Sequence, residues 1–600
     1  MPITKVSDYI VSYLERLNVK HIFMVPGGGA MHLNDSLGKS KSMEYVCCLH
    51  EQACAIAAEA YARITNNIGL LMVTTGPGGT NALTGITAAY IESTPVLAIS
   101  GQVKMMDQIR DQKIRQQGMQ EVDIVSIVKS VTKYAAMVTD PKTIKYHLDR
   151  ALHEAKSGRP GPVWLDIPLD IQAAMIDEAE LCGYEPVSEK EENISEKVAA
   201  IIDILNNSER PVLLAGNGIR LSGGIKEFHN LINTLNIPVL TTWNGIDLVW
   251  EDHPLYYGRP GGLGHRYANF IQQNSDFFLS IGARLNLLQT GYNFDGFARC
   301  AKKIMVDIDS NELHKINVHP DIPLCTDAKL FMEEFIRQKE RIVPKERTAW
   351  LDYCKRVKQA YPLITEKMRF QNEKANSYIL LEAISDQMNS DDIYVSGSSG
   401  TCIDVSMQGF KVKKGQRVFC TKGLASMGYG LPSTIGAALA SGGKRTVCVN
   451  GDGGFQMNIQ ELETIHRLNL PIKIFVLNND GYAAIRGTQT NLFNGNLVAC
   501  TRDSKLTMPN IIDVAKAYKL RTVKISNNAE LQSKVAETLA ENDPVICDVS
   551  VPIDLAVIPR QVSYKRKDGQ MESLPLEYMN PPLSEEEFKK NMLIPLYEMK

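Results

Sequence analysis

Two short glycine-rich and polar runs, each closing an apolar run, are where this chain has the residue types for chemistry. Val447, Cys448 and Val449 lead into Asn450-Gly451-Asp452-Gly453-Gly454, and Ile472 to Leu477 lead into Asn478-Asn479-Asp480-Gly481. Glycines at a strand end let backbone N–H groups approach a phosphate, and a helix starting there, here Met457 to Leu468, turns its positive end the same way. The pattern is strand, helix, strand. Asp452 and Asn479 would then stand at the C-terminal ends of neighbouring parallel strands, where two oxygen ligands and a loop carbonyl converge beside a diphosphate. Such a set suits Mg²⁺, which takes oxygen donors and shares them with phosphate. Gly-Asp-Gly alone is an ordinary turn, and Asn-Asn is common in loops. The informative feature is the spacing, 24 residues between the triplet and the Asn pair across one strand–helix–strand unit.

That spacing resembles the thiamine diphosphate (ThDP) signature of the pyruvate-decarboxylase and acetolactate-synthase superfamily. A second group of candidates lies near the N-terminus: Pro26-Gly27-Gly28-Gly29, then Leu49-His50-Glu51-Gln52 opening a helix through Arg63, then Thr75-Gly76-Pro77-Gly78-Gly79-Thr80-Asn81. An acidic residue in a first helical turn, such as Glu51, is already accounted for by the helix dipole. ThDP supplies a competing reason. A carboxyl bonded to its pyrimidine nitrogen drives the imino tautomer that deprotonates the thiazolium carbon, and it works best among apolar neighbours such as Ala53, Ala55, Ile56 and Ala57. His50 has no derivable role and reads as structural.

The ordered segments PGGG, LHEQACAIAAEAYAR, TTGPGGTNALTG, MQEVDIVSIVKSVTKY, GRPGPVWLDIP and GLASMGYGLPSTIGAALA resemble the large subunit of acetolactate synthase over about residues 3 to 555. The resemblance implies Glu51 as the pyrimidine-activating glutamate and Gln120 near substrate and cofactor. It implies Gly27, Gly28, Asn81, Gly451, Gly453 and Gly454 around ThDP, Met427 as the apolar prop of its bent form, and Asp452, Asn479 and the Gly481 carbonyl as the Mg²⁺ site. The middle of the chain resembles the family's FAD-binding domain, with a structural, non-redox flavin. The matching residues are Arg159, Gly216-Asn217-Gly218, Thr241-Thr242, Gly261, Gly264, Gly282, Arg284, Asp307, Asp309 and Asp327.

Three departures fall near the substrate end. The family's lysine ten residues after the arginine is Leu169, its Gln-His pair is replaced by Gly397-Ser398-Ser399-Gly400, and its acceptor-selecting tryptophan is Thr488, one turn from Ile485. The expected activity is decarboxylation of pyruvate and transfer of the two-carbon unit to a second 2-keto acid, as in branched-chain amino-acid synthesis. One alternative keeps this chemistry with a keto-sugar nucleotide or other bulky carbonyl acceptor, since Asp480 to Arg486 also resembles acetolactate-synthase-like enzymes of bacterial surface-sugar pathways. Another is a catalytically silent scaffold, against which intact Glu51, Asp452 and Asn479 argue. The resemblance implies a homodimer or homotetramer, with Glu51 of one subunit facing the diphosphate site of another, and allows a regulatory subunit.

These loops need sheets to hold them. Apolar runs alternating with helical patterns predict an α/β protein of three doubly wound parallel-sheet domains: a pyrimidine-binding domain over 1–175, a central FAD-type domain over 190–345 and a diphosphate-binding domain over 370–555, followed by a proline-dotted tail, 556–600, that wraps a neighbouring surface. Residues 188–196 read as a linker. With 600 residues, 44% hydrophobic and 22% charged, the chain can bury sizeable cores, and a formal net charge of -3 favours small molecules over nucleic acid or anionic membrane. Twelve cysteines without a C-x-x-C, several of them in apolar runs, indicate a reducing compartment. The mid-segment charges of the first helix exclude a signal peptide, so a cytoplasmic location is expected.

Overall fold

A computed structural model of the chain describes residues 3–109, 112–187, 193–370, 373–398, 400–554, 557–566 and 569–598. Ser399 and residues 188–192 of the expected linker lie outside the described residues.

Three parallel sheets carry the fold. The first contains β1 (His21–Met24), β2 (Glu44–Cys47), β3 (Gly69–Val73), β4 (Val96–Gln102), β5 (Tyr134–Met137) and β6 (Val163–Pro168) in the order β2-β1-β3-β4-β6-β5. The second contains β7 (Pro211–Ala215), β8 (Val239–Thr241), β9 (Phe277–Ile281), β10 (Lys302–Asp307) and β11 (Ile322–Cys325) in the order β8-β7-β9-β10-β11. The third contains β12 (Ile393–Ser396), β13 (Arg417–Phe419), β14 (Thr446–Gly451), β15 (Ile472–Asn478), β16 (Arg521–Ile525) and β17 (Val545–Ser550) in the order β13-β12-β14-β15-β17-β16. Counted from its own first strand, the third sheet repeats the strand order of the first, a kinship that the residues do not reveal by eye. Central strands such as β3, β7 and β9 are buried along their whole length, as helices on both faces of a parallel sheet require.

In each sheet the strand order reverses beside its first strand, and loops at such a switch point open a crevice at the carboxyl ends of the strands. These crevices are flanked by Gly27 to Gly29 and Thr74-Thr75 in the first sheet, Gly216 to Gly218 and Gly282 in the second, and Gly397 and Gly451-Asp452 in the third. Where a long helix was expected after Gly454, two short ones form, Asp452–Gln456 and Glu461–Arg467. The first of these makes Asp452 its own opening residue.

The first and third sheets share one core through helix contact. Helix α1 (Glu51–Thr65) buries Ala53, Ala55, Ala57, Ala58 and Ala60 completely, with α2 (Pro77–Ile91) and α3 (Gly430–Ala440) packed against it. A Cβ at Gly436 of α3 would lie 2.1 Å from the Ala57 carbonyl oxygen, and one at Gly85 of α2 would lie 2.5 Å from the Ala55 Cβ. The tail returns over the middle domain of its own chain. Gln561 N–H donates to the Gly262 carbonyl at 2.7 Å, Asn269 donates to the Leu576 carbonyl at 2.9 Å, and Arg299 pairs with buried Glu577 at 2.7 Å. Among the described residues no helix is long and apolar enough to cross a membrane.

Buried polar groups tie the first sheet to the loop that carries Gln120. Asp166 in β6 accepts from the Ser100 hydroxyl at 2.5 Å and from Gln102 Nε2 at 3.0 Å, and the same Gln102 nitrogen donates to the Val122 carbonyl at 2.9 Å. Burial pushes the Asp166 carboxyl up to about 7.

Two expectations follow. Replacing a helical glycine by alanine ordinarily gains up to about 1 kcal/mol, but Gly436→Ala would drive a methyl group into a backbone carbonyl, and overpacking costs about 1–3 kcal/mol. The variant should therefore lose stability in a denaturant titration; a gain would mean that α1 and α3 are not so close. For Asp166, the folded chain keeps a proton that the unfolded chain releases near pH 4, so this group's contribution to stability is fullest below about 4. It should fall as pH rises towards 7, by at most about 1.4 kcal/mol per unit. Asp166→Asn should flatten that slope in titrations across the window, and an unchanged slope would assign the proton elsewhere.

Candidate cofactor and active site

β14 and β15 run parallel with Gly451 opposite Leu477, so Asp452 and Asn479 leave the sheet side by side. Asp452 is 2% exposed. Its Oδ2 accepts from the Asn479 and Gly481 N–H groups, both at 3.1 Å, and its Oδ1 accepts from Gly453 N–H at 2.7 Å. Burial nevertheless outweighs these donors and pushes its carboxyl up to about 6. Asn479 Oδ1 is buried and has no hydrogen-bond partner among the described residues. A buried carboxylate short of positive charge beside an unpaired amide oxygen is the donor set that a hard cation satisfies. Among the described residues no group of three or more His, Cys, Asp or Glu offers an alternative metal site.

Tight packing shapes this pocket. A Cβ at Gly453 would meet the Tyr482 ring at 2.4 Å and the Met427 Cε at 3.0 Å, which brings the half-buried Met427 onto the Gly-Asp-Gly-Gly turn. Gly481 has φ +143, and a Cβ there would lie 2.3 Å from the Cys500 carbonyl. Gly454 is buried in the same short helix. Behind the loop, buried Arg486 donates to the Ile553 carbonyl at 3.1 Å and the Asn479 carbonyl at 3.4 Å. Nothing in the sequence marks Arg486 as a support of this loop, because its partners are backbone atoms.

In the first sheet, Gly27 and Gly29 are packing glycines. A Cβ on either would strike Thr74 or Thr75, at 2.5 and 1.8 Å, whereas Gly28 faces open space. Glu51 opens α1, is 8% exposed, and accepts from Asn81 Nδ2 of α2 at 3.0 Å. His50 is the N-cap of that helix, its Nδ1 accepting from Gln52 N–H at 3.1 Å, so its structural reading acquires a specific role. Gln120 is exposed, with φ 64, and a Cβ at Gly76 would lie 2.3 Å from its carbonyl. The Gln120 loop thus stands against the turn that opens α2. Its neighbour Glu121 collects the Ile109, Gln117 and Gly118 N–H groups at 2.7, 3.0 and 2.9 Å, which hold its carboxyl below the usual range despite burial.

A cavity of about 1000 Å³ lies over the switch point of the second sheet. Small-molecule sites usually run to about 300–1,000 Å³, so it is at the roomy end. Of the residues matched to the FAD-binding domain from sequence, all but Gly216, Thr241 and Asp309 line it, Arg159 reaching it from the first domain. Gly216 allows close approach of strand ends, a Cβ there lying 2.1 Å from the Gly282 carbonyl. Thr241 is fully buried, and Asp309 pairs with Arg159 at 3.1 Å, while Glu312 holds the same guanidinium at 2.6 Å. Burial raises the Asp307 carboxyl.

The expected substrate residues fall on two domains. Leu169 is half-buried at the carboxyl end of β6, on the first sheet. Ile485 and Thr488 are exposed on helix Ala483–Leu492 of the third, where the Thr488 hydroxyl bonds back to the Ala484 carbonyl at 3.0 Å.

Known proteins resemble this chain in sequence. The chain matches the thiamine pyrophosphate enzymes in three places: the N-terminal TPP binding domain over residues 4–127, the central domain over 198–335 and the C-terminal TPP binding domain over 399–549. It is 31% identical over 567 residues to acetolactate synthase 2, chloroplastic, of Zea mays, covering 92% of this chain and 86% of that one. It is 32% identical over 561 residues to the acetolactate synthase large subunit of Cyanidium caldarium, covering 90% of this chain and 92% of that one. A probable acetolactate synthase large subunit of Methanocaldococcus jannaschii is 32% identical over 564 residues, 91% of this chain and 92% of that one. With three matched domains on the three sheets, the chain belongs to the acetolactate synthase large-subunit family of thiamine pyrophosphate enzymes.

Proposed function

We propose that this enzyme decarboxylates pyruvate and joins the two-carbon unit to a second carbonyl compound, with Mg²⁺ bound at Asp452, Asn479 and the Gly481 carbonyl. The observation that carries this reading is the buried, unpartnered Asn479 Oδ1 beside a desolvated Asp452. When bound, ThDP supplies the nucleophilic carbon and the electron sink for loss of carbon dioxide. Glu51 holds and returns the proton at the cofactor's pyrimidine nitrogen, Asn81 orients the Glu51 carboxyl, and the buried alanines of α1 keep water from it. Gly27 and Gly28 border the cofactor's pyrimidine end, and Gly451, Gly453 and Gly454 its diphosphate. Met427 supports the cofactor from the Gly453 side, and Gln120 lines the approach of substrate.

Glu51 of one protomer serves the diphosphate loop of its partner in a homodimer or a pair of such dimers. FAD occupies the middle cavity, held by Arg159, Arg284 and the glycine-lined strand ends, in a structural role. The acceptor is a second 2-keto acid. Exposed Thr488 and apolar Leu169 also leave room for a bulkier, uncharged acceptor, which competition between pyruvate and a bulky ketone would reveal in the product ratio.

Purified enzyme given pyruvate, ThDP and Mg²⁺ should form acetolactate. Glu51→Gln should lower turnover about 10²–10⁴-fold with ThDP affinity retained. Asn479→Ala should weaken Mg²⁺ and ThDP together, by more than the roughly 10–100-fold seen for outer-sphere metal partners. Co-expressed as mixed dimers, these two variants should recover activity, because one of the two sites then has both wild-type groups; no recovery would refute sites shared between protomers. Absence of any product from pyruvate would overturn the donor assignment. For the cavity, denatured enzyme should release a yellow, fluorescent flavin whose redox state is constant during turnover, and colourless protein that cannot be reconstituted would refute FAD.

A further inference from the structure

The helix Glu461–Arg467 belongs to the third sheet's domain and follows closely on the helix that Asp452 opens, yet it grips the first domain. Glu461 is 0% exposed. Its Oε1 accepts from Leu49 N–H at 2.9 Å and its Oε2 from the Thr464 hydroxyl at 2.7 Å. From the other end of the same helix, Arg467 Nη2 donates to the Cys47 carbonyl at 2.6 Å. Cys47 closes β2 and Glu51 opens α1, so both contacts fall on the short corner that sets where Glu51 begins. The Leu49 side chain is 54% exposed and does not anchor that corner by packing.

We propose that Glu461 is a positioning residue for Glu51, fixing the corner from Cys47 to Glu51 so that the Glu51 carboxyl meets the cofactor at the required distance. The inference rests on the role of Glu51 proposed above. A carboxylate is an expensive tie between domains, since burying one costs several kcal/mol and an apolar contact of similar size is often as stable. What a carboxylate provides and an apolar group does not is a direction, here a backbone N–H held two residues before the working carboxyl. Misplacement by about 1 Å costs about 10²-fold in reactions that depend on such geometry. The segment that carries the metal ligand Asp452 thereby also sets the carboxyl of the first domain.

The test is the rate of hydrogen–deuterium exchange at the thiazolium C2 of ThDP bound to the Mg²⁺-loaded enzyme, which reports activation without turnover. Glu461→Ala should slow this exchange by about 10–100-fold while ThDP and Mg²⁺ affinities stay within a few-fold of the parent. Glu461→Gln keeps an oxygen that accepts from Leu49 N–H and should restore most of the rate. In cofactor-free protein, amide exchange of the peptide spanning residues 47–52 should quicken in the alanine variant and not in the glutamine variant. Where Glu461→Ala fails to fold, Glu461→Asp, one methylene shorter, should show the same slowing. Parent-like C2 exchange in the alanine or aspartate variant, with Glu51→Gln abolishing it, would overturn the role of Glu461 alone. C2 exchange unaffected by Glu51→Gln would instead refute the Glu51 assignment, and this proposal with it.

Discussion

The close fit of α1 between α2 and α3 is the constraint on which the rest of the structure depends. Alanines fill the inner faces of α1, and glycines at Gly85 and Gly436 bring the neighbouring helices onto its backbone. Such contact distances leave little freedom for sliding or rotation, because close-packed interiors respond to even one added methyl group. Glu51 sits at one end of this wedged helix, and its direction is therefore set by packing several turns away as well as by Asn81 beside it. One hydrophobic core runs through this contact from the first sheet into the third, reaching from Val6 to Ile546. The two cofactor-binding domains of one chain thus form a single unit.

At the other end of α1 the apolar contact gives way to a buried polar junction among all three domains. Glu59 pairs with Arg63 one turn later and accepts from the Tyr429 hydroxyl at 2.8 Å. Arg63 donates to the Cys420 carbonyl at 3.1 Å, and Glu92 accepts from Asn244 at 2.8 Å and from Gly423 N–H at 2.6 Å. Buried charges of this kind add little net stability over apolar replacements, but losing one partner of such a pair typically costs about 3–5 kcal/mol. The junction therefore ties the three domains together through directional bonds. Glu92, Asn244 and Gly423 also line the middle cavity, so the cavity wall and the helix carrying Glu51 belong to one hydrogen-bonded framework.

Two buried carboxyl groups show how desolvation and backbone donors compete. Asp452 remains short of positive charge after three backbone donors, whereas Glu121, with three similar donors and less burial, is held below its ordinary range. The difference is desolvation, which in Asp452 exceeds what N–H groups return. The proposed Mg²⁺ would offset that imbalance at Asp452, while Glu121 serves its loop.

The sequence by itself determined the α/β class, the candidate chemistry-bearing loops and the two central strands, β14 and β15, that lead into them. Its long apolar runs are buried on both faces, and Gly-Asp-Gly-Gly and Asn-Asn are local patterns whose spacing is set by one strand–helix–strand unit. Edge strands such as β2, β5 and β11 carry a weaker signal, because each has one open flank and partly exposed side chains; Tyr45 in β2 is 54% exposed. His50 could be read only as structural, since its capping bond depends on the direction in which α1 leaves the corner. Only the tertiary structure decided that Glu461 meets Leu49 across 412 positions, that Arg486 supports the Asn479 loop, and that the tail lies on the middle domain. Each of those contacts has a backbone group as at least one partner, and a backbone N–H or carbonyl carries no residue identity for a sequence pattern to record.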